Sequence, residues 1–428
     1  MQVSPILVAT AAALTLAPVA PASAAETAVA PGVGVLAAAI ANAAPGDTLR
    51  LGSGDHAGKV TIDRPLALIG STGARIVGDG EGSVVTISAD DVRLEGLTVT
   101  GSGKRLDNLD SGIVIDKTSE RARIIGNTVE GNLIGIDVQG GKDALLSGNR
   151  VSNRTDLRRN ERGAGIYVWN APGLLAENNE ISGGRDGIFV TTSHHAVYRG
   201  NRMSDLRFAF HSMYANDIEV AGNRSTGNEI GFAFMYSNRV KAEDNVSESD
   251  ASHGIFMNFV NRSEIGHNEV RDGGEKCVFV YNVNDTRIVG NLFQGCDIGI
   301  HFTAGSQRDV VAENAFLGNR TQVKNVGTRW LEWSENGRGN FWSDHVSYDI
   351  DGDGIADAPY RPNDTIDLVT WHQPMAKLLL GSPAVQLIRW SQSRFPGLLP
   401  GGVVDSHPLV KPDAAGTRRD LQQEAGLK

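Results

Sequence analysis

The chain is expected to be all-β, a right-handed parallel β-helix of about 12 coils of 22–23 residues, with an N-terminal helical cap and a C-terminal cap and tail. The first observation behind this is a repeat. Asparagines recur at Asn127, Asn149, Asn179, Asn201, Asn223, Asn245, Asn268, Asn291 and Asn314, at intervals of 22 or 23 residues save one of 30. The second is a marker lying 14 residues before most of them, at Gly135, Gly165, Gly187, Gly231 and Gly254, with Ala209 and Cys277 in two coils. The third is what lies between: short β-branched and aromatic runs such as 166–168, 188–190, 232–234 and 278–280, with no helical period through them. Twenty-two residues suit three short strands and three turns, and glycine and asparagine suit turns because both tolerate positive φ. Stacked asparagines can also hydrogen-bond as a ladder along the axis.

Residues 1–24 read as a secretory signal peptide: an apolar stretch from Ile6 to Ala20, then Ala22-Ser23-Ala24 as the cleavage site. No later run approaches the 18 apolar residues of a membrane span. Residues 25–48 form the N-terminal cap, with a helix over Val35 to Ala44. Residues 49–325 form the β-helix, a rod of roughly 55 Å at ~4.8 Å per stacked strand. The single long interval contains Arg154 to Arg162, a loop extruded from one coil. Residues 326–370 form the C-terminal cap, where Trp330, Trp333, Phe341 and Trp342 close the rod. Residues 371–428 form a docking tail, with Met375 to Leu399 leucine-rich and broken by proline. Cys277 and Cys296 are either free or bonded, since spacing does not decide whether their Cα atoms meet. A net charge of −10 argues against a nucleic-acid partner.

With the marker as position zero, strict alternation sends positions one and three inward and zero, two and four outward. Position one is a core column: Ile136, Ile166, Ile188, Phe210, Phe232, Ile255, Val278, Ile300. The outward columns should be polar, yet Tyr167, Trp169, Phe189, Phe256, Phe279 and Tyr281 fall in them, with Tyr214, Tyr236 and Phe259 just beyond. Such a wall marks a partner surface unless the 154–162 insert lies over it. Within it, His211, Met213 and Met235 share a face over two adjacent coils, and thioethers with an imidazole are soft ligands that favour copper.

Downstream, Asp349, Asp351, Asp353 and Asp357 stand at the first, third, fifth and ninth positions of a calcium-type loop, with the Ile355 carbonyl at the seventh. Position twelve is Tyr360 in place of a glutamate, so Asp344, Asp364 or Asp367 would have to complete the site. Parallel β-helices also host polysaccharide enzymes, but Asp90-Asp91 is the sole paired acid resembling their clusters.

Gly231-Phe232-Ala233-Phe234-Met235-Tyr236-Ser237-Asn238, Gly339-Asn340-Phe341-Trp342-Ser343-Asp344 before the acidic loop, and a tail carrying Leu378-Leu379-Leu380-Gly381-Ser382-Pro383-Ala384, Arg394-Phe395-Pro396-Gly397-Leu398-Leu399-Pro400-Gly401-Gly402-Val403 and Asp405-Ser406-His407-Pro408-Leu409 resemble the NosD family of nitrous oxide reductase maturation proteins. The resemblance covers nearly the whole mature chain, and the tail is its most specific part. It implies a periplasmic accessory protein of an ABC-type complex with a membrane subunit and ATPase. It further implies maturation of the copper-sulfur centre of nitrous oxide reductase, a lipoprotein copper chaperone as a further partner, and no turnover of its own. The residues alone leave a carbohydrate-modifying β-helix, a uronan lyase or epimerase, as the alternative.

Overall fold

The computed structural model describes residues 24–327, 329–395 and 401–412, so the signal-peptide reading of residues 1–24 lies almost wholly outside the described residues. Each coil contributes one strand to each of three parallel sheets: sheet A of 13 strands, sheet B of 13 and sheet C of 12. The expected β-helix is therefore present, with one more rung on two of its faces than about twelve coils require. One coil runs Arg123–Ile125 in sheet A, Thr128–Glu130 in sheet B and Ile134–Gln139 in sheet C. Strands of three residues in sheets A and B alternate exposed and buried, as a half-buried strand must. Sheet C takes the longer strands, up to six residues.

The core column is as expected: Ile136, Ile166, Ile188, Phe210, Val278 and Ile300 are fully buried. The expectation that the marker position points outward fails. Residues 186 and 208 pair and 188 and 210 pair, and the marker between them is left out of the pairing on both strands, so every coil kinks at the same place and turns positions zero and one both inward. A Cβ on Gly135 would lie 2.3 Å from Val151 Cγ1, and one on Gly165 2.3 Å from Ile181 Cγ2. These glycines serve close packing at the B–C corner rather than positive φ. The repeating asparagines are also not the left-handed residues. The residue before each holds that conformation, as Gly126 (60°), Gly148 (63°), Asn178 (54°) and Gly200 (64°) do.

The asparagines instead form a buried ladder at the A–B corner. Asn201 donates its backbone N–H and its Nδ2 to Asn223 Oδ1, both at 2.9 Å, while Asn223 Nδ2 also donates to the Tyr198 carbonyl at 2.9 Å. The ladder runs from Asn127 to Asn314 and one rung further, to Asn340.

At the N-terminal end Glu26–Val29 already pairs with Thr48–Leu51, and the helix Val35–Asn42 covers the first coil with Leu36 and Ile40. At the other end Phe341–Trp342 adds a last strand to sheet B beyond Asn325. Trp342 stacks on Phe316 at 4.4 Å and Trp333 meets Phe302 edge-on at 5.6 Å, whereas Trp330 stays exposed. Cys277 and Cys296 form a disulfide, Cα–Cα 5.6 Å, that fills the B–C corner where other coils carry the marker glycine.

The 371–428 stretch is not one tail. Gly402–Val404 pairs with Trp330–Glu332, and buried Asp405 accepts hydrogen bonds from Asn340 N–H (2.7 Å) and Trp342 Nε1 (2.8 Å), so this stretch belongs to the cap. Pro374–Leu379 and the helix Pro383–Arg394 remain on the surface. No helix among the described residues is long and apolar enough to cross a membrane.

Candidate functional site

The kink at the marker sets the outer face of sheet C. Because positions zero and one both turn inward, the outward columns are the residue before the marker, then positions two and four. The first column runs Asp186, Phe208, Ile230, His253, Lys276 and Ile298 in paired register. Strict alternation through the glycine hides this column, and with it Asp186, His253 and Lys276.

Position two stacks into a ring ladder. Tyr167 lies 5.4 Å from Phe189 and Phe189 lies 4.8 Å from His211. Ala233 then interrupts the stack, which resumes with Phe256 on Phe279 at 5.3 Å and Phe279 on His301 at 4.7 Å. A second stack runs beside it along the C–A corner, with Tyr214, Tyr236 and Phe259 at successive 5.2 Å spacings and Tyr281 edge-on at 6.1 Å. Trp169, Tyr214 and Tyr281 are 42, 51 and 43% exposed, so the wall is an open surface. The 154–162 insert does not take its place over it. The insert's contacts run along the B–C corner, from Asp156 to Lys104, Arg162 to Gly183 and Arg159 to Asp205.

Met213 and Met235 are register partners, and His211, whose own register partner is Ala233, lies two residues before Met213 on the same face. His211 is buried between Phe189 and Phe208, and its Nε2 has no hydrogen-bond partner. Its Nδ1 lies 3.5 Å from Asp186 Oδ2. Burial alone would raise the Asp186 carboxyl, but hydrogen bonds from His211 and Arg207 and the charges of Arg207 and Arg185 outweigh it and hold the group below the usual range. An ionised Asp186 favours the proton on His211 Nδ1 and leaves the buried Nε2 as the lone-pair nitrogen, as carboxylates behind metal-binding histidines do. An orphaned buried imidazole nitrogen on a face that also carries two thioethers fits the donor chemistry of a soft metal. Along the same face, burial pushes Asp137 up to about 7, only partly offset by hydrogen bonds from Gln139 and Ser111.

In the acidic loop, carboxylate oxygens of Asp349, Asp351 and Asp353 lie within 4.8 Å of one another. Asp349 accepts from the backbone N–H of Gly352 and Gly354 at 2.6 and 2.9 Å, and Asp357 from Ile350 N–H at 2.8 Å. Ile355 pairs with Leu409, which ties the loop to the cap. Each carboxylate considered for the missing twelfth ligand is engaged: Asp344 accepts from Tyr360 Oη at 2.8 Å, Asp364 caps the helix Thr365–His372, and both Asp364 and Asp367 meet Arg389.

Fold and face together define a parallel β-helix protein that presents a long aromatic wall with an orphaned histidine and two methionines. The sequence profile described as "Periplasmic copper-binding protein (NosD)" matches residues 147–347. The chain is 38% identical over 376 residues to the probable ABC transporter binding protein NosD of Stutzerimonas stutzeri, spanning 85% of this chain and 86% of that protein. It is 37% identical over 381 residues to the same-named protein of Pseudomonas aeruginosa PAO1, spanning 86% and 89%. The chain belongs to the NosD family. Among solved structures, the A-module of mannuronan C-5 epimerase AlgE6 from Azotobacter vinelandii resembles it with a TM-score of 0.55 at 15% identity, over 68% of this chain and 89% of that one. The catalytic unit of a GH87 α-1,3-glucanase from Streptomyces thermodiastaticus does so with 0.56 at 12%, over 77% and 68%. At such identity the likeness is one of fold.

Proposed function

We propose that this chain is a periplasmic accessory protein of an ABC-type transport complex that supports maturation of the copper-sulfur centre of nitrous oxide reductase, with copper as transient cargo. The observation that carries the reading is the orphaned Nε2 of buried His211 on the same sheet face as the register pair Met213 and Met235, on a chain of the NosD family. In this reading Met213 and Met235 supply thioether sulfur, His211 supplies Nε2, and Asp186 orients the imidazole. The open aromatic wall receives a copper chaperone or the reductase, and the exposed apolar side chains of Met375, Leu378, Leu379, Leu387 and Trp390 dock the membrane subunit. The acidic loop holds calcium structurally through Asp349, Asp351, Asp353, Asp357 and the Ile355 carbonyl. Cu(I) titration tests the cargo site: the His211→Ala/Met213→Ala/Met235→Ala protein should bind at least tenfold more weakly than wild type, and equal affinity refutes the assignment.

A second reading has its own observation. Asp137 and Tyr167 are register neighbours, and Asp186 with Arg207 lies on the same face, an ionisable cluster suited to acid–base work on a uronan. Turnover of alginate or polygalacturonate by purified protein, lost in Asp137→Asn, would favour that reading over the first.

A further inference from the structure

Two to five rungs beyond His211, the sheet C face changes character. Lys276 Nζ lies 3.3 Å from His253 Nε2 and 5.1 Å over the Phe279 ring, with its side chain only 15% exposed. His253 and His301 flank the same ring, at centroid distances of 5.5 and 4.7 Å. Lys324 is the register partner of His301 on the next rung. An ammonium has no lone pair, so His253 Nε2 accepts from Lys276, and His253 Nδ1 carries the proton that Ser252 Oγ receives at 2.6 Å. His301 Nδ1 is buried without a partner. Glu275 lies 3.3 Å from Lys276 and is itself largely exposed. Lys276 and two imidazoles thus converge on one half-buried aromatic ring, with the Lys324 charge acting on His301 from the next rung, on a chain whose net charge is −10.

We propose that Lys276, Lys324, His253 and His301 form a binding site for a small dianionic oxyanion, seated at Phe279 and independent of the copper reading. Two ammonium groups match a dianion in charge, and a protonated imidazole on either side can add a charge-assisted hydrogen bond. Empty, the site keeps its histidines neutral. Burial, then Lys276, lowers His253 to about 4 against the opposing charge of Glu275, and burial with Lys324, Lys276 and His253 lowers His301 to about 4. An arriving dianion reverses that charge balance, raises both imidazoles and draws protons into the site.

Sulfate is a suitable probe because it stays doubly charged near neutral pH, so protons taken up from the buffer on binding go onto the protein's own groups. Calorimetric titration of the full chain with sodium sulfate, against sodium chloride at equal ionic strength, should show saturable binding. The affinity should rise about threefold from about pH 7.5 to pH 6, with proton uptake that His301→Gln reduces. Lys276→Gln should weaken binding at least tenfold, and Arg308→Gln, remote at a surface ion pair with Asp285, should leave it unchanged. If Lys276→Gln does not fold, Lys324→Gln provides the same comparison. Sulfate heats no different from chloride, or lysine variants that bind as wild type, would overturn the proposal.

Discussion

Tyr214, Tyr236 and Phe259 hold φ of 54°, 50° and 54°, a left-handed backbone that an L side chain adopts at a cost of about 1–2 kcal/mol. The corner itself demands that conformation. Other coils meet it at Asn170 (48°), Thr192 (55°) and Asn282 (51°), and asparagine is the residue type suited to it. Aromatic rings therefore stand where asparagine would fit with less strain, and their compensation is the 5.2 Å stack along the edge of the wall. Strain relieved by Tyr214→Asn, about 1 kcal/mol, roughly offsets the single stacking term that this ring makes with Tyr236, about 0.5–1.5 kcal/mol. Urea unfolding should thus place this variant within about 1 kcal/mol of wild type, while capture of soluble partners falls. A loss above 3 kcal/mol would mean that the rings serve stability instead. Asp137 makes a different prediction. Its carboxyl ionises at about 7 when folded against a reference of 3.8, so the native state holds a proton there that the unfolded chain has released. Wild-type stability from this group is full below the reference value and is lost as pH rises towards 7. Asp137→Asn should match wild type near pH 4 and exceed it increasingly up to pH 7, by at most on the order of 4 kcal/mol. A difference that is flat with pH would count against the assignment.

At the scale of the coil, stability is carried by ladders that link each rung only to its neighbours. Asn223 receives the Asn201 N–H and Nδ2 and donates to the Tyr198 carbonyl, so Asn223→Ala orphans buried backbone groups on the preceding rung. At about 1–3 kcal/mol per orphaned group, the loss should be about 3 kcal/mol, concentrated in hydrogen exchange of the two adjacent coils. Opening the loop between Cys277 and Cys296, separated by 19 residues, with a double serine variant should cost a similar amount, about 3 kcal/mol. The ladder and the core column were legible because each recurs every 22 or 23 residues and has a simple requirement, a corner hydrogen bond or an apolar interior. The parity of the outer face was not legible. A kink shared by every coil leaves no trace in composition, and the one-residue change of parity moved Asp186, His253 and Lys276 onto the wall. The C-terminal cap was equally hidden, since Asp405 meets Asn340 and Trp342 across more than 60 residues without any period to announce the contact.

Across the whole molecule, two apolar surfaces lie in different places. The wall runs along the side of the rod on sheet C. The second surface belongs to Pro374–Leu379 and the helix Pro383–Arg394 beside the C-terminal cap, where Asp364 holds Arg389 at 2.9 Å. On that second surface Met375, Leu378 and Leu387 are 75, 80 and 64% exposed, which isolated surface residues rarely are as a contiguous set. Under the proposed function the protein meets a membrane subunit and soluble proteins in turn, which needs two separable contacts, and these two surfaces are the candidates for them. Changes in one should spare the other, because the cap is anchored to the rod independently of the helix, through Gly402–Val404 and Asp405. Leu378→Ser/Leu387→Ser/Trp390→Ser should therefore reduce recovery of the membrane subunit and its ATPase in co-purification by on the order of tenfold, with Cu(I) affinity unchanged. Phe256→Ser/Phe259→Ser/Tyr281→Ser should retain the membrane complex and lose the soluble partners. If the wall variant releases the membrane subunit and the tail variant keeps it, the two surfaces exchange roles. The rod would then lie along the membrane complex by its side, and copper cargo at His211 would face the transporter rather than the chaperone.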